Sequence, residues 1–418
     1  DGTGIGTIHA TVDFRPMDTG LVGKSRAAGD AIKSITNLYV LLYDYDTGSL
    51  VRSEEITAGK YELKDVERSD ADAENGHTAE SRTKQASFSL KDIPYGKYRM
   101  YVVANMPDFL SNHKDDIQTV DGLKSVRLVW NNDTAKVADN GEMLGYFTAN
   151  TANQPEDDPL VINSKNMNLH AWLRRAASKI TIAYDGTALK EGVFVYLKSV
   201  QIKDIPAECY LGKANNVGGE GYTLNCPTGT DKEISAKMLD GQKIKYYQGE
   251  EEPTEFNSSY SGPRLTAGNP KYGSHDEKAP ALYFYENMQG EGKDKRQDGN
   301  KDGVLDAPGL PDDTTYVLKD DKPYGTYIEV VAHYESINSE KLGSGNIIYR
   351  FMLGQDVLKD YNAKRNCHYK LTLKFKNFAN DVDWHIEYEE PDPGVVTVDP
   401  YYISYLYNHS MMYPVKIN

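Results

Sequence analysis

The chain has 418 residues, 62 of them acidic against 47 basic, for a net charge of −15. That length exceeds one ordinary β-sandwich and suits two domains that each bury a core. The acidic surplus opposes the phosphate backbone of nucleic acid and the anionic face of a bilayer, so no nucleic-acid partner is expected.

Tyrosine supplies 31 residues, a composition that favours pleated, half-exposed strands over helix bundles. No apolar run reaches the roughly 18 residues of a membrane helix, and the N-terminus lacks the basic-then-apolar layout of a signal peptide. The chain therefore reads either as cytosolic or as an exported protein already stripped of its leader.

Residues 6–14 set Ile8, Ala10, Val12 and Phe14 at strict period two, the pattern of a strand with one buried face. After Arg15-Pro16, the small and polar stretch from Asp18 to Asp30 reads as an exposed linker and contains Arg26-Ala27. Ile35–Tyr43 is apolar on both faces and predicts a central strand, followed by a turn at Asp46-Thr47-Gly48. Residues 65–85 are charged and aperiodic, as in a surface loop.

A Pro94-Tyr95-Gly96 turn then feeds a strand that puts Tyr98, Met100 and Val102 on one face. Further strands are predicted at Leu173–Tyr184, Phe194–Ile202, Tyr327–Tyr334, Ile347–Leu353, Tyr369–Phe375 and Trp384–Tyr388. Without a long amphipathic helix, a parallel βαβ sheet is excluded and the class is all-β. The polar segment Asn150–Pro159 marks a boundary. It divides the chain into an N-terminal strand with linker (1–26), two β-sandwich domains (27–160 and 161–394) and a tyrosine-rich tail (395–418).

Candidate chemistry is sparse. Asp298, Asn300, Asp302 and Asp306 have the alternate spacing of an oxygen-ligand Ca2+ loop, with Gly303 at the tight turn. As an EF-hand it is incomplete, because Gly309 stands where the bidentate Glu belongs; a solvated acidic loop is the other reading. Cys209, Cys226 and Cys367 are too widely spaced for a metal cluster; they are three buried small hydrophobes, or a Cys209–Cys226 disulfide with Cys367 left over. The nine histidines form no ligand motif, no nucleophile motif is present, and no catalytic residue is assigned.

Four stretches carry a resemblance. Leu173-Arg-Arg-Ala-Ala-Ser-Lys-Ile-Thr-Ile182 is followed by Leu197-Lys-Ser-Val-Gln-Ile-Lys-Asp-Ile-Pro206, which precedes Tyr210-Leu211. Then come Leu282-Tyr-Phe-Tyr-Glu-Asn-Met-Gln289, and Tyr349-Arg-Phe-Met-Leu-Gly354 leading to Asp360-Tyr-Asn-Ala-Lys-Arg-Asn-Cys-His-Tyr369, with Trp384 closing the domain. In this order they resemble the strand motifs of the fimbrillin superfamily, the pilin-like proteins of Bacteroidales.

The resemblance implies two tandem transthyretin-like β-sandwiches with short helices in loops, exported as a lipoprotein precursor to the outer membrane. It further implies fimbriae built from copies of this chain or related subunits. An arginine-specific protease removes the N-terminal strand, and another subunit's terminal strand fills the groove. Because Pro16 blocks cleavage after Arg15, the first usable site is Arg26-Ala27 and the exchanged strand carries Ile8, Ala10, Val12 and Phe14. Tyr405, Tyr407, Tyr413, Val415 and Ile417 in the tail are the donor candidates.

Two alternatives stay open. One is a permanent edge strand with Arg26 as an ordinary loop residue. The other is a surface-anchored adhesin of the same fold that binds a host protein or glycan, with Tyr247, Tyr260, Tyr272, Tyr283 and Tyr285 available to stack on sugar rings.

Overall fold

A computed structural model describes residues 4–14, 35–67, 82–132, 141–149, 155–216, 238–275, 278–288, 325–353, 362–379 and 381–386. The first part of the chain contains β1 (Ile5–Phe14), β2 (Leu38–Asp44), β3 (Leu50–Glu55), β4 (Tyr61–Glu67), β5 (Arg82–Pro94) and β6 (Gly96–Ala104). Two short helices follow, α1 (Phe109–Asn112) and α2 (Val120–Lys124), and then β7 (Arg127–Val129), β8 (Met143–Thr148), β9 (Leu160–Ile162) and β10 (Asn166–Arg175).

Hydrogen bonds order the main strands β3-β2-β6-β8-β10-β1-β5-β4, with β9 also on β6. Leu38, Val40 and Leu42 of β2 and Met100 and Val102 of β6 share one core with Ile8, Ala10 and Val12 of β1, Phe88 and Leu90 of β5, and Leu169 and Leu173 of β10. The strand order therefore folds into two facing layers joined through β8, which pairs with both β6 and β10. Arg52 of β3 crosses to donate to the Lys91 carbonyl of β5 at 2.6 Å. The expected central strand is β2, buried on both faces from Leu38 to Tyr43. Within the stretch expected as a surface loop, the flanks 65–67 and 82–85 are strand, in β4 and β5, because these two strands pair with each other.

Sheet pairing continues past the polar segment 150–159. β9 and β10 hydrogen-bond into the first sheet, and the chain leaves it only at Ala176. The single strand expected over Leu173–Tyr184 is accordingly two strands in different sheets, since β11 (Ala177–Leu189) begins the second part. Periodicity runs on through this junction because residues on both sides are buried; a change of partner strand leaves no mark on it.

The second part continues with β12 (Val193–Lys203), β13 (Ile205–Pro206), β14 (Glu208–Tyr210), β15 (Met238–Leu239), β16 (Lys243–Lys245), β17 (Arg264–Leu265), β18 (Lys271–Tyr272) and β19 (Leu282–Tyr285). It ends with β20 (Tyr327–Ser336), β21 (Gly343–Met352), β22 (His368–Asn377) and β23 (Asp381–Ile386). One sheet runs β18-β11-β22-β23 and the other β16-β12-β20-β21. Tyr184, Tyr369, Leu371, Leu373 and Phe375 from the first join Val195, Leu197, Val330, Ala332 and Tyr349 from the second in one core. The fold is thus all-β with two sandwich-like units, as the resemblance implies.

The units are welded to each other. β7 pairs with β14, Trp130 meets Tyr285 edge-on at 5.0 Å, and the Tyr285 hydroxyl donates to Glu142 at 3.0 Å. Burial raises the Glu142 carboxyl above its usual range. Cys209 and Cys367 are buried, and Cys226 lies outside the described residues.

Candidate functional site

The candidate site is the seat of β1. Its backbone pairs antiparallel with β5 on one side and parallel with β10 on the other, so both edges of the strand are hydrogen-bonded. The possibility of an edge strand is thereby corrected: β1 is interior, because β4 and β5 wrap outside it and β10 closes its other side. Ile8, Ala10 and Val12 are 0%, 2% and 0% exposed, and Phe14 ends the strand opposite Leu173.

Side-chain size across the three strands is complementary in the rows of Ala10 and Val12. Ile8 lies between Leu90 of β5 and Met167 of β10. Ala10 lies between Phe88 and Leu169, and Phe88 in turn meets Phe147 edge-on at 6.4 Å. Val12 lies between Ala86 and Ala171. Ala10 is small where its neighbours are large, and Val12 is branched where they are alanines. Burial of Ile8 and Val12 contributes on the order of 4 kcal/mol.

The outward face is held by polar contacts that the sequence reading left out. His9 spans both neighbours: its Nε2–H donates to Asn166 Oδ1 at 3.1 Å, and its Nδ1 accepts from the Ser89 hydroxyl at 3.0 Å. Its position in the outward phase of an apolar strand was the available signal; Ser89 and Asn166 come from strands that only folding brings alongside. At the N-terminal end, a Cβ on Gly6 would stand 2.6 Å from the Ser164 carbonyl oxygen, so no side chain fits there.

Arg26 and Ala27, the tail residues Tyr405, Tyr407, Tyr413, Val415 and Ile417, and the Asp298–Asp306 loop lie outside the described residues. Among the described residues no cluster of metal-ligating side chains gathers. The five tyrosines considered for sugar stacking are dispersed. Tyr285 is buried, Tyr260 donates to the Leu197 carbonyl, and Tyr283 packs against the core. Tyr247 lies under the Lys245 ammonium, whereas Tyr272, 42% exposed, borders an apolar cleft of about 240 Å³ together with Ile182, Ile244 and Tyr246.

Comparison with known proteins adds the following. Residues 282–373 match a family described as a domain of unknown function, DUF4906. No curated protein matches the sequence. Among solved structures, a candidate cell adhesion protein from Parabacteroides distasonis is similar at 13% identity, over 95% of this chain and 98% of that one, with a TM-score of 0.48. The tip fimbrial protein Mfa3 from Porphyromonas gingivalis aligns at 12% identity over 91% and 99%, with a TM-score of 0.41. A fimbrial assembly protein from Parabacteroides distasonis aligns at 13% identity over 94% and 98%, with a TM-score of 0.40.

Proposed function

We propose that this chain is a structural subunit of cell-surface fimbriae that polymerises by strand replacement at the seat of β1. The observation that carries this reading is the interior position of β1. Losing it exposes two unpaired edges, on β5 and β10, together with the core residues that Ile8, Ala10 and Val12 cover. Such an open slot in a sheet binds a replacement strand through main-chain hydrogen bonds and alternate side-chain subsites.

In this account the protein is exported as a lipoprotein precursor and displayed at the outer membrane, and an arginine-specific protease cuts between Arg26 and Ala27. Cleavage there separates residues 1–26 from β2 onward, so β1 is held only by its non-covalent contacts. The vacated slot then takes a terminal strand of another copy or of a related fimbrial subunit, and the resulting filament supports adhesion.

Treating the purified chain with an arginine-specific protease is expected to yield a new N-terminus at Ala27, loss of residues 1–26 and filaments in electron micrographs. R26K is expected to block all three. A cleaved chain that sheds β1 and remains monomeric overturns the reading.

A further inference from the structure

Away from the seat of β1, charged side chains converge on one recess. It has a volume of about 480 Å³ and lies where the turn between β2 and β3, strand β6, helix α2 and Lys213 of the second unit come together. That volume falls within the range of about 300–1,000 Å³ that holds small molecules. In a chain with a net charge of −15, the lining carries three cations, Arg99, Lys124 and Lys213, against two carboxylates, Asp46 and Asp121. We propose that the recess binds a sugar acid, a ring that carries a carboxylate among its hydroxyls as uronic and sialic acid residues do. The lining residues are separate from those of the β1 seat, so such binding is independent of strand replacement.

The cations are held from behind. The Arg99 guanidinium lies over the Tyr45 ring at 5.4 Å, and the Tyr45 hydroxyl donates to the Asp157 carbonyl at 3.3 Å, so ring and guanidinium are fixed together. Lys124 pairs with Glu156 at 3.0 Å, and Glu156 also accepts from the Tyr101 hydroxyl at 2.7 Å. Lys213 comes from the second unit. Arg365 donates to its carbonyl at 2.9 Å and to those of Tyr210 and Leu211, and the Lys213 ammonium meets Asp121 at 2.7 Å. The Asp46-Thr47-Gly48 turn is held by Asp44, whose carboxylate accepts from the Thr47 amide and hydroxyl.

Burial decides which of these groups a ligand addresses. The Arg99 side chain is 26% exposed, whereas that of its partner Asp157 is 87% exposed; Lys213 pairs with an Asp121 side chain that is 80% exposed. An ion pair with so exposed a carboxylate is weak, so a ligand carboxylate displaces Asp157 from Arg99 at little cost. The forked guanidinium then donates two parallel hydrogen bonds to the incoming group, and Lys213 adds a second positive charge. Asp46 and Asp121 serve the rest of the ring, because an ionised carboxylate only accepts and sugar hydroxyls donate. An acidic peptide satisfies the cations but sets its own carboxylates against Asp46 and Asp121, and a neutral sugar leaves Arg99 unused. A sugar acid satisfies both sets.

The test is calorimetric titration of the intact chain with methyl glucuronide and with sialyllactose, each against its uncharged counterpart, methyl glucoside and lactose. At least one acid is expected to bind saturably at low salt, about tenfold or more tighter than its counterpart, as the loss of one charge-assisted pair implies. R99Q is expected to remove that preference, and R99K to keep only part of it because the fork is lost. K213Q is expected to weaken it about threefold or more, as is raised salt. R264Q, at an exposed arginine of β17, is expected to bind like wild type, and the melting temperature of each variant reports its folding.

Binding of neither acid, equal binding of an acid and its uncharged counterpart, or unchanged binding by folded R99Q and K213Q overturns the proposal. So does a tetraglutamate peptide that binds as tightly as the sugar acids, which would make the recess a docking point for acidic protein. If R99Q does not fold, K213Q and the salt dependence decide: a preference for the acid that survives both intact overturns the proposal as well.

Discussion

β1 and β22 occupy equivalent places in their two units, each lying between one parallel and one antiparallel neighbour. Their contents differ. β22 buries Tyr369, Leu371, Leu373 and Phe375, with Phe375 stacked on Tyr184 and edge-on to Tyr349, whereas β1 buries Ile8, Ala10 and Val12. β22 is thus fixed by large interlocking rings, and β1 by lighter aliphatic residues and two ladders of hydrogen bonds. Under the proposed strand replacement, the lighter aliphatic anchorage of Ile8, Ala10 and Val12 suits a strand that is exchanged, and the interlocked rings of β22 suit one that holds the second core together.

The largest expected effect is on β22. F375A, which opens a cavity among fully buried rings, should cost about 3–5 kcal/mol, seen as a lower denaturant midpoint of the intact chain. I8A in β1 should cost less, about 2–3 kcal/mol, because Met167 beside it is half-buried and can relax into the space. Equal losses in the two variants would remove the contrast between the strands.

A10L tests the row directly: wedged between Phe88 and Leu169, it should cost about 1–3 kcal/mol by overpacking, and F88A should relieve part of it in the double variant. Additive losses would show that Ala10 does not owe its size to Phe88.

The smallest effect is electrostatic and belongs to the second unit alone. Burial pushes the Asp185 carboxyl up, but hydrogen bonds from Lys271, at 2.6 Å, and from Thr187 outweigh it, leaving the group below its ordinary value of 3.8. A lowered folded-state value stabilises above the unfolded value and is lost as pH falls through the folded one. Because the Lys271 side chain is 70% exposed, K271Q should cost less than about 1 kcal/mol at neutral pH. The difference from wild type should shrink as the pH falls below 3.8 and the Asp185 carboxyl takes up its proton, as denaturation curves at neutral and acid pH would reveal. The same pH dependence in K271Q and wild type would contradict the assignment.

Much of the site was legible at the level of single strands. Period-two spacing named Ile8, Ala10, Val12 and Phe14 as an inward set, and the first three are buried, the Phe14 side chain lying outside the described residues. The same signal placed β2 centrally and gave the alternation in β22. It missed the break at Ala176, where one apolar run serves two sheets, and the strand flanks of the charged 65–85 stretch, where β4 and β5 support each other in spite of their polar residues. It also passed over His9, whose partners lie 80 and 157 residues away.

The sequence by itself determined the all-β class, the phase of each strand and the residues of β1 that turn inward, because these depend on spacing along the backbone and on hydrophobicity. Only the tertiary structure decided that β1 lies inside a sheet, parallel to β10 and antiparallel to β5, and that Ala10 faces Phe88 and Leu169. Neighbours and register are set by contacts between distant segments, and a strand's own periodicity is the same whichever strands lie beside it.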